Sequence, residues 1–352
     1  MRNMTISSNR LIRESLRELQ QRLPQGWTAS DAAPTPTPTP ALPVLTVTAP
    51  DLRASVLTLC VRTSLEPRGV RALVEGVDGA PADARLLVVA PYLSARTREL
   101  LREAEVGYLD LTGNARLTLS DPGLYINTHG AEEDPNRDER PARSLRGVKA
   151  GRIALALIEN LITPGVRELA ALTATDPGYV SRVISLLETE ALLRRGGKGS
   201  ATEVAWPALL RRWAQDAPLA SRGAIGTYLA PRGLGALQQQ LSSFEGTYAV
   251  TGSMAADALA PLASPRLATI WVSDAAAASL ALSLPQVDSG ANVLLVEAPD
   301  GTPFERRVAR DGVWHANPAL VAADLLTSPG RGPQEGEALI TWMMRNEAAW
   351  RR

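Results

Sequence analysis

The chain has 352 residues, of which 45% are apolar and 21% charged, and its formal net charge is zero. This length exceeds what one hydrophobic core usually serves, and the zero net charge excludes a uniformly basic nucleic-acid binder. The single cysteine, Cys60, excludes a disulfide framework, and its position in an apolar run indicates a buried side chain.

Residues 1–43 are predicted to form a helix and a linker. Apolar residues recur at helical spacing from residue 5 to residue 23, which indicates an amphipathic helix that ends at Pro24. The run PTPTPTPALP follows, and alternating prolines favour an extended linker that is neither helix nor sheet.

Residues 44–130 are predicted to form an α/β domain. Its order of strands and helices resembles a restriction-endonuclease fold, whose active site needs an Asp and a Glu-x-Lys on adjacent strands to hold Mg²⁺. The strand that should carry Glu-x-Lys reads LTLCVRTS and lacks it, while the acids Asp51 and Asp110 stand apart. The sequence therefore predicts a degenerate, inactive nuclease scaffold, followed by a charged linker over 131–144.

Residues 145–215 are predicted to form a winged helix-turn-helix domain. The apolar helix GRIALALIENL precedes a short helix that starts after Pro164, the turn TDPG and the helix GYVSRVISLLETEALL. In this last helix the apolar residues from Val180 to Leu192 mark the buried side. The basic, glycine-bearing segment RRGGKGSATEVAW has the chemistry expected of a wing.

The predicted DNA contacts lie on the exposed N-terminal side of the third helix and on the wing. A recognition helix reads base edges in the major groove, while basic wing side chains contact phosphates. The alternative for the whole segment is a helical hairpin used for protein contact. For Tyr179 alone, the alternative to a DNA contact is packing in the core. The residues predicted to bind DNA are Thr175, Gly178, Tyr179, Ser181, Arg182, Ser185, Arg194, Arg195 and Lys198.

Residues 219–352 are predicted to form a second α/β domain. The segment TGSMAAD has the Gly-Ser that opens a helix in nucleotidyltransferases, where the helix N-terminus binds a triphosphate. Catalysis also needs paired carboxylates on the next strand, which supplies only Asp274, so this domain is predicted to be inactive as well. His129 and His315 are the only histidines, and with one cysteine they are too few for a metal cluster. The sequence also lacks the GxSxG motif of a hydrolase nucleophile.

Several segments carry a family resemblance. One is LLVVAPYLSARTRELLREAEVGYLDLTGNARL, with the turn at 107–114, and the others are YAVTGSMAADALAP, GANVLLVEAPDGTPF and RDGVWHANPALVAADLL. Together they cover most of residues 45–345 and resemble AbiEi-like regulators, the antitoxin and repressor halves of type IV toxin–antitoxin (abortive infection) systems. The resemblance implies a winged-helix transcription factor with an α/β domain on either side.

The sequence thus predicts a non-enzymatic regulator of transcription that binds specific double-stranded DNA as a homodimer and uses no cofactor or metal. One alternative is an antitoxin that neutralises a nucleotidyltransferase toxin and represses its own operon. Another is an accessory DNA-binding protein of repair or replication. The first residues, MRNMTISSNRLIRESL, have no apolar core long enough for a signal peptide, and no stretch approaches about 18 uncharged apolar residues. A cytoplasmic, nucleoid-associated protein without membrane contact is therefore expected.

Overall fold

The computed structural model describes residues 8–31, 43–76, 85–135, 144–195 and 201–352. The fold is mixed α/β, as the sequence predicts. The chain divides into two compact units, Met1–Ala142 and Arg143–Arg352, and the division falls within the charged segment 131–144.

The first unit is built on a seven-stranded sheet whose strands neighbour one another in chain order. The strands are β1 (Thr28–Asp31), β2 (Val44–Thr48), β3 (Ala54–Val61), β4 (Arg85–Ala90), β5 (Gly107–Asp110), β6 (Ala115–Ser120) and β7 (Gly123–Thr128). The helices are α1 (Ser8–Arg22), α2 (Pro67–Glu75) and α3 (Ala95–Glu103). Strands β3, β4 and β5 run parallel, and the remaining neighbours are antiparallel.

Strand β4 is buried on both faces of this sheet, which explains its nearly unbroken apolar sequence RLLVVA. Leu87 and Val89 pack in a core with α1, and Val88 and Ala90 pack in a second core with α2 and α3. Because successive side chains of a strand point to opposite faces, these two cores lie on the two sides of the sheet. Cys60 belongs to the second core and is buried, as its apolar context predicts, and this burial raises the pKa of its thiol.

The second unit begins with three helices, a two-stranded antiparallel hairpin and two further helices. They are α4 (Val148–Glu159), α5 (Val166–Leu172), α6 (Pro177–Thr189), β8 (Leu193–Arg195), β9 (Ala201–Val204), α7 (Trp206–Asp216) and α8 (Leu219–Arg222).

A six-stranded sheet follows in the same unit, with the strand order β10-β13-β12-β11-β15-β14. Its strands are β10 (Ala224–Tyr228), β11 (Tyr248–Thr251), β12 (Ala268–Val272), β13 (Val293–Glu297), β14 (Val308–Arg310) and β15 (Val313–His315). The accompanying helices are α9 (Gly233–Ser242), α10 (Gly252–Asp257), α11 (Ala275–Ala281), α12 (Pro318–Leu326), α13 (Gly332–Arg345) and α14 (Glu347–Trp350), with a 3-10 turn at Thr302–Phe304.

The helices of 145–215 share one hydrophobic core with the C-terminal sheet and its helices. Helix α7 packs against both α4 and α12, and its Trp213 is buried in this common core. Trp206, the first residue of α7, has its ring centroid 4.9 Å from that of Trp350 and donates from Nε1 to Glu347 Oε1 at 2.7 Å. The segments 145–215 and 219–352 therefore form one compact unit.

A buried ion pair also ties the end of α4 to the C-terminal part of this unit. The carboxylate of Glu159, which is 4% exposed, accepts a hydrogen bond from the guanidinium of Arg306. Burial raises the pKa of Glu159 to about 7, while the neighbouring Arg306 favours the charged form. The backbone of Arg352 completes the contact by donating to the Glu159 carbonyl at 2.9 Å.

Candidate nucleic-acid interface

Helix α6 is fixed in position by its N-terminal cap and its apolar face. The Asp176 carboxylate accepts from the Tyr179 amide at 3.0 Å, and Pro177 occupies the first turn, where a missing amide hydrogen is tolerated. Behind this cap, five apolar residues enter the core, namely Val180, Val183, Ile184, Leu186 and Leu187. The opposite side of α6 is consequently left facing solvent.

The exposed side of α6 carries a short polar surface. Arg182 and Ser185 are exposed and Ser181 is partly exposed. The guanidinium carbon of Arg182 lies 5.6 Å from the centroid of the Tyr179 ring, which holds the arginine near the start of the helix. Gly178 lies beside them, and a Cβ there would come within 3.0 Å of the Asp176 carboxylate. These predicted contact residues thus lie together on one face.

Tyr179 and Thr175 differ from that group in burial. Tyr179 is partly buried and packs against the core, so its ring serves both the core and Arg182. Thr175 is 7% exposed, and its hydroxyl donates to the carbonyl of Thr173 at 3.0 Å. The Thr175 side chain is therefore used inside the turn between α5 and α6, which sequence spacing alone does not reveal.

The two arginines of the hairpin are each paired with a carboxylate. Arg194 pairs with Glu203 on the neighbouring strand, and Arg195 Nε lies 3.0 Å from Glu188 Oε1 at the end of α6. The pairing of β8 with β9 shifts register between these two arginines. Lys198, the third predicted wing cation, lies outside the described residues.

One cation at this end of the unit did not enter the predicted set. Arg167 is exposed on α5, the helix that packs against α6, and the described contacts include no ion pair for it. In the sequence, Arg167 is simply a basic residue in the first turn of a short helix. Nothing there distinguishes it from any other surface arginine as a DNA contact. It joins Arg182 as a cation available to a phosphate.

The two acids weighed as nuclease ligands have structural partners. Asp51 is exposed in a turn, where hydrogen bonds from Arg53 lower the pKa of its carboxyl. Asp110 is fully buried, and its carboxylate accepts from the amides of Leu93, Thr112 and Asn114. Across the part of the chain that is described, no group of three or more His, Cys, Asp or Glu side chains is arranged to hold a metal ion.

The polar groups considered for a nucleotidyltransferase site also have structural partners. The hydroxyl of Ser253, in the Gly-Ser that opens α10, bonds to Glu335. Asp274 caps α11 by accepting from the Ala277 amide at 2.8 Å. His315 is buried, and this burial lowers the pKa of its imidazole, whereas His129 is exposed.

Comparison with protein-family models, curated proteins and solved structures finds no match to this chain. The resemblance to AbiEi-like regulators therefore stays a prediction. None of the helices among the described residues has the length and apolar character needed to cross a membrane.

Proposed function

We propose that this chain is a non-enzymatic regulator of transcription that binds specific double-stranded DNA through a winged helix formed by α4, α5, α6 and the β8–β9 hairpin. The observation that carries the proposal is the outward face of α6, where Ser181, Arg182 and Ser185 stand opposite the buried face. Three helices followed by a hairpin are the elements of a winged helix, whose third helix enters the major groove.

Arg182 is the side chain of this face best suited to read a base. Its exposed guanidinium offers two parallel donors, which match the O6 and N7 acceptors of guanine in the major groove. The contact with the Tyr179 ring reduces the freedom of the arginine before DNA arrives, so less side-chain entropy is lost on binding. Ser181 and Ser185 are suited to base edges or phosphates beside it.

The hairpin arginines fit phosphate contacts despite their glutamate partners. Arg194 and Glu203 are both more than half exposed, and exposed ion pairs contribute only about 0–1 kcal/mol. A DNA phosphate can therefore replace Glu203 at little cost. Arg195, at 30% exposure, is held more firmly by Glu188, which links the hairpin to the end of α6.

The proposal includes a homodimer because one α6 presents few base-reading side chains. Two copies on symmetric half-sites double these contacts, which is the usual route from weak to specific affinity. The absence of an enzymatic role is proposed because Asp110 and Asp274 are engaged as an internal acceptor and a helix cap.

The test of this function begins with selection of bound sequences from a random pool of DNA duplexes by the purified full chain. Enrichment of one sequence with two symmetric halves is expected. Arg182→Ala should then weaken binding to that site by about 1–3 kcal/mol if the residue reads a guanine, measured by fluorescence anisotropy.

Arg266→Ala is the matched control for this prediction, because Arg266 is also an exposed arginine of the second unit. It removes the same charge and should leave the affinity unchanged. Equal losses in the two variants, or no loss in Arg182→Ala, would remove α6 from the recognition role. A pool without any enrichment would instead favour an accessory protein that binds DNA regardless of sequence.

A second prediction concerns the hairpin. Replacing Arg194 and Arg195 with alanine should weaken binding to specific and random duplexes alike, because phosphates carry no sequence information. The slope of log affinity against log salt concentration should flatten by about 0.9 for each phosphate that the variant no longer neutralises.

Glu203→Gln tests the same ion pair by changing its acidic partner. It removes the carboxylate that competes with phosphate for Arg194. This variant should bind both kinds of duplex more tightly than the wild-type chain. An unaltered salt slope in the double-arginine variant would show that the hairpin does not contact DNA.

A further inference from the structure

A cavity of about 220 Å³ lies where α4 and α7 meet the C-terminal sheet of the second unit. Its apolar walls include the indoles of Trp213 and Trp271, both of which are almost fully buried, and Leu320. Val148 also lines it and is 43% exposed, so the cavity opens to solvent beside the first turn of α4. This volume suits a small organic molecule with an apolar body.

Arg222 supplies unused hydrogen-bond donors to this cavity. Its guanidinium lies over the Trp213 ring at 5.0 Å, and Nη2 lies 2.5 Å from Asp324 Oδ1. The Nε and Nη1 atoms are buried, and no hydrogen-bond acceptor contacts them among the described residues. Buried donors are rarely left without a partner, so this side of the cavity is suited to a ligand carboxylate or carbonyl.

Asp300 supplies an unused acceptor to the same cavity. Its Oδ1 accepts from the Thr302 amide at 2.7 Å and lies 4.0 Å from Arg152 Nη2. Its Oδ2 is buried and has no donor within the described part of the chain. A ligand amine or ammonium group would satisfy this oxygen.

The start of α4 adds a positive potential at the mouth. Gly147 is the N-cap residue, has φ of 88° and offers no side chain to bond the free amides of the first turn. The unpaired amides and the helix dipole both favour an anionic group nearby. The N-terminus of α4 therefore supports the binding of a ligand carboxylate. The site itself is inferred from the cavity and from its buried atoms without partners.

We propose that this cavity binds a free α-amino acid with an apolar or aromatic side chain. The carboxylate bonds to Arg222, the ammonium group bonds to Asp300 Oδ2, and the side chain packs against the two indoles. The proposal is of binding alone, and no reaction is assigned to the cavity.

The position of the cavity gives the ligand a regulatory consequence, and this part rests on the proposed DNA-binding function. Val148 belongs to α4 of the proposed winged helix and Trp213 to α7 beside it, whereas Trp271 and Asp300 belong to the C-terminal part. A ligand that contacts both parts changes the DNA affinity if it binds the free chain and the DNA-bound chain with different affinities. The ratio of these two ligand affinities sets the size of the change.

The test is titration calorimetry on the full chain with L-phenylalanine, 3-phenylpropanoate and 2-phenylethylamine. All three probes have the same aromatic body. L-Phenylalanine carries both polar groups, 3-phenylpropanoate carries only the carboxylate, and 2-phenylethylamine carries only the amine. L-Phenylalanine should bind most tightly. Asp300→Asn should weaken the binding of L-phenylalanine by roughly tenfold or more, because its ammonium group uses the lost charge. The same variant should not weaken the binding of 3-phenylpropanoate, which has no ammonium group.

Val148→Phe fills the mouth at a half-exposed position and should abolish binding of all three probes. Asp288→Asn, at an exposed aspartate, is the control and should bind as the wild-type chain does. No binding of any probe at millimolar concentration, equal affinity for the three probes, or unchanged binding in Val148→Phe would each overturn the proposal.

DNA affinity is then measured with and without saturating L-phenylalanine. A shift that is absent in Val148→Phe supports the coupling, and no shift in the wild-type chain overturns it. Because calorimetry reports ligand binding without DNA, a chain that binds the amino acid and no DNA would refute the proposed function alone.

Discussion

Asp324→Ala is expected to lower the free energy of unfolding of the second unit by about 3–5 kcal/mol. The side chain is fully buried at the centre of a polar network in the common core. Its Oδ2 accepts from the hydroxyl of Thr251 at 2.6 Å and from Trp271 Nε1 at 2.9 Å, and its Oδ1 pairs with Arg222. Removing the carboxylate leaves a buried guanidinium without its counter-charge and two donors without an acceptor.

Urea unfolding followed by circular dichroism measures this loss. Asp324→Asn keeps an oxygen for the neutral donors while it removes the charge, so its stability should fall between those of Asp324→Ala and the wild-type chain. Asp288→Ala, at an exposed aspartate, should leave the midpoint unchanged. An Asp324→Ala variant as stable as Asp288→Ala would mean that the buried ion pair contributes nothing.

Asp110→Ala is expected to destabilise the first unit by about 3–5 kcal/mol. The buried carboxylate accepts five hydrogen bonds, from the amides of Leu93, Thr112 and Asn114, the Thr112 hydroxyl and the Asn114 side-chain amide. These bonds join the loop after β4 to the turn between β5 and β6. The variant leaves backbone donors buried without partners, which is among the most damaging changes to a core.

Thermal unfolding should show this loss to the same extent with and without Mg²⁺, because the carboxylate acts as an internal acceptor. Asp51→Ala, which removes an exposed acid, should leave the transition unchanged. A wild-type transition that rises with Mg²⁺, together with loss of that rise in Asp110→Ala, would point back to a metal ligand and the nuclease hypothesis.

The sequence predicts the elements whose signals are local. The apolar run of β4 and the Asp176–Pro177 start of α6 are recognisable because burial on two faces and helix capping each leave a short pattern. Strand β1 has no such signal, since TASD lacks apolar alternation and pairs only at the edge of its sheet. The prediction of a helix and a linker over residues 1–43 therefore did not include this strand.

The candidate site is less predictable because its chemistry depends on neighbours distant in sequence. Nothing in the run RRGGKGS shows that Arg194 faces Glu203 or that Arg195 reaches back to Glu188. The burial of Thr175 depends on how the turn between α5 and α6 closes. The cavity polar groups, Arg222 and Asp300, come from separate segments that only the folded sheet brings together.

The core shared by residues 145–215 and 219–352 limits how readily the first of these segments could be moved into another protein. Joining the first of these segments to another protein would separate α7 from α12 and expose apolar side chains at that contact, such as Trp213. Each large apolar side chain moved from a core into water loses about 1.5–3 kcal/mol, so such a chimaera would need a new surface shaped to cover them. A transplant of residues 145–215 would therefore have to carry the C-terminal partner with it or replace the apolar surface that this partner supplies.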